Sequence, residues 1–304
     1  MKFLLDLPPA VAAAIVSAMV ALVTTLLATP LQVLVKRHIL GFRLRSEYDY
    51  EQRRKLRELI GLYVGRMLEA AENLNHRFWN LYTNEARGWL DAGGHYEDLD
   101  KLYYFKTTAY RFLAVCALLR RFESEAIFID SRIAEKDDLY FVKYLKALRW
   151  ALTDVALFEG LEYSTFDQTD HIFSDNLRMI CDACWTEGKF CSIEEFPTLV
   201  RKKPQTEAVL KFLDGINAND PRLRWDRVVV FHLLLMGFLN TFGYDMQVST
   251  DEQFRQVAAK VRNPKILRNL SEWLPKLGLD EQSEAIRIIH ATCEVATQLT
   301  QDAN

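Results

Sequence analysis

This chain is poor in the residues that local catalytic motifs require. Its 12 glycines form no G-x-x-x-x-G-K-[ST] phosphate loop, no G-x-G-x-x-G fingerprint and no G-x-S-x-G nucleophile elbow, and its 6 histidines form no H-E-x-x-H. The common nucleotide-dependent and hydrolytic chemistries lose their local signatures with them. A site assembled from facing helices stays open, because helical folds build such sites from residues distant in sequence. Cysteine is scarce too. Cys116, Cys181, Cys184, Cys191 and Cys293 make an odd, scattered set, which excludes a dense disulfide framework and fits a reducing compartment.

Charge of one sign is also lacking. With a formal net charge of -3 the chain carries no basic field for a polyanion, so no nucleic-acid partner is expected. No run alternates apolar and polar residues over a useful length. The expected class is therefore all-α, with one N-terminal transmembrane helix followed by a multi-helix soluble bundle.

What the chain has in abundance is one uncharged stretch, Leu7 to Val35, followed by Lys36, Arg37, His38, Arg43 and Arg45. A bilayer core about 30 Å thick needs about 20 apolar helical residues, and Ala10 to Ala28 supplies them. Asp6 before Pro8 and Pro9 suits a helix start, and Pro30 predicts a kink or a new cap near the interface. Cleavable signal peptides carry a shorter apolar core and their positive charge in front of it, so an anchor is the better reading. Cations are retained on the cytoplasmic side. The expected placement is a single-pass protein of the cell membrane, N-terminus outside and C-terminal body cytoplasmic, with the bilayer as its first partner. The juxtamembrane cations also suit anionic lipid headgroups.

The expected organisation is an anchor with its basic flank over 1–45, a helical domain over 46–191 and a C-terminal helical subdomain over 192–304, either continuous with the preceding one or a second lobe. From Ser46, the residues Leu56, Leu59, Ile60, Tyr63, Met67, Ala70, Leu74, Phe78 and Leu81 recur at three- and four-residue steps and predict one long helix to about residue 88. Gly61 and Gly65, four apart on it, suggest close approach of another helix. Further helices are expected over 99–122, 137–159, 172–185, 206–213, 223–242, 250–261, 264–276 and 280–299. Ser192 and Glu195 form an S-x-x-E cap. Val228 to Phe242, with only His232, Asn240 and Thr241 as polar interruptions, is too short for a span and reads as a central buried helix.

Four groups of residues are candidate sites. Asn73, Arg77, Asn80 and Asn84 share one helix face and are candidates for ligand or partner binding; Arg120, Arg121 and Arg149 are alternatives for an anion. Cys181-x2-Cys184-x6-Cys191 with His171 offers four thiolate or imidazole ligands, which makes zinc the one cofactor the sequence raises, although a second paired knuckle is missing. Asp167, Asp170 and His171 offer an acid/base or oxygen-ligand set. Ala14, Ser17 and Ala21 form a small-residue face of the kind that lets membrane helices associate. The expected function is a membrane-tethered adaptor, sensor or assembly component with protein partners or a homo-oligomeric state. The alternatives are a membrane-anchored metal-dependent enzyme and an effector whose clustered membrane helices perturb the bilayer.

Overall fold

The computed structural model describes residues 8–163, 170–186, 188–220 and 222–302. About three quarters of the chain is helical and strand is almost absent, so the class is all-α. The chain divides into two compact units, one ending at Arg54 and one starting at Lys55.

Helix α1 runs over Pro9–Thr83. Its helical assignment continues through Pro30 and Gly41 without the new cap expected there. Within the first unit, Pro9–Ala28 has a mean hydropathy of 2.4 and nothing of it is buried. It is long and apolar enough to cross a membrane. Its two adjacent threonines hide their hydroxyls by donating to the carbonyls one turn back, Thr24 to Val20 at 2.6 Å and Thr25 to Ala21 at 2.7 Å. That pairing removes the cost of placing a hydroxyl in an apolar medium. Ala14, Ser17 and Ala21 are exposed.

In the second unit the apolar stripe of α1 does what its spacing predicts: Leu56, Tyr63, Met67, Leu74, Phe78 and Leu81 are buried, and Leu59, Ile60 and Ala70 pack at the core margin. Gly61 and Gly65 correct the expectation of a close helix approach, because a Cβ built at either would meet open space. They sit on the side of the helix turned away from the stripe. Helix α2 (Tyr103–Ala126) and helix α3 (Lys136–Thr153) follow. Helix α3 stops six residues before the expected end, where Asp154 turns extended at ψ 139 and its carboxylate accepts the Ala156 amide at 2.8 Å.

Helix α4 covers Ser174–Ala183. The hairpin of β1 (Trp185–Thr186) and β2 (Lys189–Phe190) follows directly, where the apolar spacing predicts helix to residue 185. Gly188, at φ 77, supplies the left-handed turn. The Ser192 amide donates to Glu195 Oε2 at 2.8 Å and the Glu195 amide to Ser192 Oγ at 3.2 Å, the reciprocal cap expected from sequence. Beyond it lie α5 (Phe196–Lys202), α6 (Glu207–Leu213), α7 (Arg224–Phe242), α8 (Asp251–Ala258), α9 (Pro264–Lys276) and α10 (Ser283–Asp302).

Helix α7 is the axis of this unit. Arg224 to Leu239 are all buried, and the helix packs against α3, α8 and α10. A helix apolar all round belongs inside a protein, as the length argument for 228–242 requires.

Candidate functional site

The face read as a ligand or partner site divides into two roles. Arg77 is buried: its guanidinium lies 4.1 Å from the Tyr104 ring centroid, and Nη2 donates to Thr107 Oγ1 at 3.0 Å. The Asn80 side-chain oxygen accepts from the Tyr104 hydroxyl at 3.3 Å and from Asn84 Nδ2 at 3.2 Å. Arg77 and Asn80 therefore tie α1 to the start of α2, and Asn84 bonds back to Asn80 at the end of α1. Asn73 stays exposed, and its carbonyl accepts from Arg111 Nη1 at 3.4 Å.

Asn73 and Arg111 border a groove of about 520 Å3 that runs between α1, α2 and the hairpin. Helix α1 contributes Arg66, Glu69 and Ala70, helix α2 contributes Tyr110, Ala114 and Leu118, and the hairpin contributes Trp185, Lys189 and Phe190. Tyr110 is held in place by donating to the Cys191 carbonyl at 3.1 Å, with its ring 5.3 Å from Phe190 and 5.8 Å from Phe196. The volume suits a ligand group or a few side chains of a docked segment.

Ion pairing separates the groove cations from the three arginines read as alternatives. Arg120 pairs with Asp182 at 3.2 Å, Arg121 with Glu125 at 2.8 Å and Arg149 with Glu123 at 2.9 Å, so these three alternatives are spoken for by neighbouring acids. Among the described residues, Arg66, Arg77, Arg111 and Lys189 enter no such ion pair. Arg111 is held below the usual guanidinium range first by burial and then by the charge of Arg77. At the other end, Glu69, Glu194 and Glu195 stand near the Tyr110 hydroxyl, and the Glu195 carboxylate is engaged by Ser192.

The metal candidates are not assembled. Among the described residues no three His, Cys, Asp or Glu side chains form a group able to hold a metal ion. Cys181, Cys184 and Cys191 are buried thiols. His171 packs against Phe173 and Tyr163, with ring centroids 4.7 and 6.2 Å away. Asp170 is committed elsewhere, its Oδ1 accepting the Leu223 amide at 2.6 Å just ahead of α7. Asp167 lies outside the described residues. No family model, curated protein or solved structure matches the chain.

Sequence reasoning passed over the start of α7, where Arg224, Trp225, Asp226 and Arg227 are all buried and each ties down a different element. Arg224 is ion-paired with Asp220 and donates to the carbonyls of Lys211, Phe212 and Asp214 at 3.0, 2.7 and 2.7 Å, so it caps the end of α6. Trp225 Nε1 donates to the Lys260 carbonyl at 2.7 Å. The Asp226 carboxylate accepts the amides of Arg262 and Asn263 ahead of α9; burial nevertheless pushes it up to about 6. Arg227 donates to the carbonyls of Asp170, Ala151 and Asp154 and caps the end of α3. The only sequence signal was the charge itself, three ionisable residues in four positions opening an apolar helix.

His232 sits deeper in α7. Its Nε2 lies 2.7 Å from Asn75 Oδ1 and its Nδ1 3.2 Å from the Tyr82 hydroxyl. An amide oxygen only accepts, so Nε2 carries the proton and Nδ1 accepts from Tyr82. Burial depresses its pKa to about 3. The imidazole is thus a neutral bridge between α1 and α7, and Asn75 of α1 is structural.

Proposed function

We propose that this chain is a single-pass, membrane-tethered adaptor whose body lies on the cytoplasmic side and docks an acidic, apolar-anchored segment of a partner protein in the groove between α1, α2 and the hairpin. The observation that carries it is the groove: Arg66, Arg111 and Lys189, none of them ion-paired among the described residues, beside an aromatic wall, with Glu69 also in the lining. Arg66 and Arg111 supply charge for a partner carboxylate, while Tyr110, Trp185 and Phe190 supply flat apolar surface at low entropic cost. The tether rests on Pro9–Ala28 with the basic flank behind it.

Selection of random peptides on the detergent-solubilised full-length protein tests the docking reading. We expect the enriched peptides to combine Asp or Glu with aromatic or aliphatic residues. R111E should weaken them about tenfold or more, and Lys in place of the peptide acid should recover binding to that variant. Peptides indifferent to both R66E and R111E would reject the groove as the docking site.

The orientation has a native reporter, because Cys293 is the one exposed thiol among the five cysteines. A membrane-impermeant maleimide should leave Cys293 unlabelled in intact cells and label it after permeabilisation. Labelling of intact cells would put the body outside. Self-association through the small-residue face belongs to the same reading as an assembly device, and leucine at Ala14, Ser17 and Ala21 should lower the oligomer mass in native mass spectrometry.

A further inference from the structure

The hairpin that walls the groove ends on a pair of cysteines. Trp185 pairs with Phe190 and Thr186 with Lys189; just beyond the ladder Cys184 caps α4 at φ -77 and ψ -9, and the Cys191 amide donates to its carbonyl at 2.9 Å. One direct backbone hydrogen bond holds the two residues side by side, and a disulfide spans Cα atoms about 4.4–6.8 Å apart. The interaction between the two thiols, and after it burial, pushes Cys184 up, and the same interaction pulls Cys191 down, so Cys191 is the easier to ionise. Neither is in a disulfide.

We propose that Cys184 and Cys191 are a reversible dithiol and disulfide pair, oxidised by a peroxide, and that the disulfide locks the hairpin wall of the groove. The thiolate of Cys191 attacks one peroxide oxygen, so an S–O bond forms, the O–O bond breaks and hydroxide leaves to take up a proton as water. The Cys184 sulfur, giving up its proton, then displaces the second oxygen as water, with S–S formation and S–O cleavage. Two thiols are oxidised and one peroxide is reduced to two waters. A small-molecule dithiol reverses the bond by exchange. Access comes from the hairpin itself: each strand has two residues, Thr186, Gly188 and Lys189 are exposed, and so short a ribbon opens at a free energy below that of global unfolding.

The thiol chemistry is independent of the docking reading, and only its effect on binding rests on that reading. The test treats the full-length protein in detergent with hydrogen peroxide, unfolds it, alkylates the remaining thiols and maps the peptides by mass spectrometry. We expect a loss of about 2 Da, a fall from five alkylated cysteines to three, a Cys184 to Cys191 cross-link and full reversal by dithiothreitol. C184S should show no such loss. Five free thiols after treatment, a cross-link between Cys116 and Cys181, or the same mass loss in C184S would overturn the proposal. If C184S does not fold, the wild-type peptide map decides alone. A groove peptide whose affinity changes at least threefold on oxidation supports the lock; unchanged affinity with the cross-link formed overturns the lock and leaves the thiol pair.

Discussion

H232F and D226N are expected to change the pH dependence of stability in opposite directions. The folded pKa of His232, about 3, lies below the unfolded value of about 6.5. Between those limits the unfolded chain binds one more proton than the folded chain. The contribution of His232 is therefore complete above about pH 6.5 and lost on acidification, at about 1.4 kcal/mol per pH unit. Asp226 works the other way. Its folded pKa of about 6 lies above the unfolded value of about 3.9, so the folded chain holds the extra proton and this contribution is present at low pH and lost as pH rises through 6. Over the shared window the two slopes oppose each other. Relative to wild type, D226N should steepen the acid-side loss by about 1.4 kcal/mol per unit between roughly pH 4 and 6, and H232F should flatten it by a similar amount. His171, lowered by burial and then by Arg227, adds to the His232 direction. Denaturant titrations of the detergent-solubilised protein at half-unit pH steps read both slopes. Parallel pH profiles for wild type and H232F would show that the imidazole does not stay neutral in the core.

R227M is expected to cost on the order of 3–5 kcal/mol, a large share of the stability of a domain. Methionine fills much of the volume but leaves the carbonyls of Asp170, Ala151 and Asp154 without the donors they have in the native chain. Each buried acceptor without a partner costs about 1–3 kcal/mol. The guanidinium also lies 4.2 Å from the Phe158 ring centroid, an interaction that goes with it. Lysine should recover less than half, because one ammonium does not reproduce the planar fork that reaches three carbonyls at once. R255A provides the contrast. Its exposed pairs with Glu252 at 3.2 Å and Glu294 at 3.5 Å predict a loss below about 1 kcal/mol. Equal midpoints for R227M and R255A in denaturant would remove Arg227 from the framework of the fold.

The helical framework was legible because each long helix writes its burial into the sequence at a period of 3.6. Leu56, Tyr63, Met67 and Phe78 announce their stripe, Val228 to Leu239 announce an axis buried on every side, and Ser192 with Glu195 announce their own cap. The same arithmetic of length and polarity shows that Pro9–Ala28 is long and apolar enough to cross a membrane. Those features depend on neighbours three or four positions away, so local sequence determines them.

Tertiary structure decided the rest. The hairpin at Trp185–Thr186 and Lys189–Phe190 is too short to show a strand period. Gly61 and Gly65 looked like a packing notch until the other helices were placed away from them. Arg77 meets the Tyr104 ring and Arg111 the Asn73 carbonyl only because α2 lies along α1, and Lys189 joins the groove only through the hairpin. Arg224 and Arg227 gain a role only where the carbonyl ends of α6 and α3 converge on the start of α7. A buried charge is tolerated only where several oxygens meet it, and which oxygens meet is a property of the packed chain.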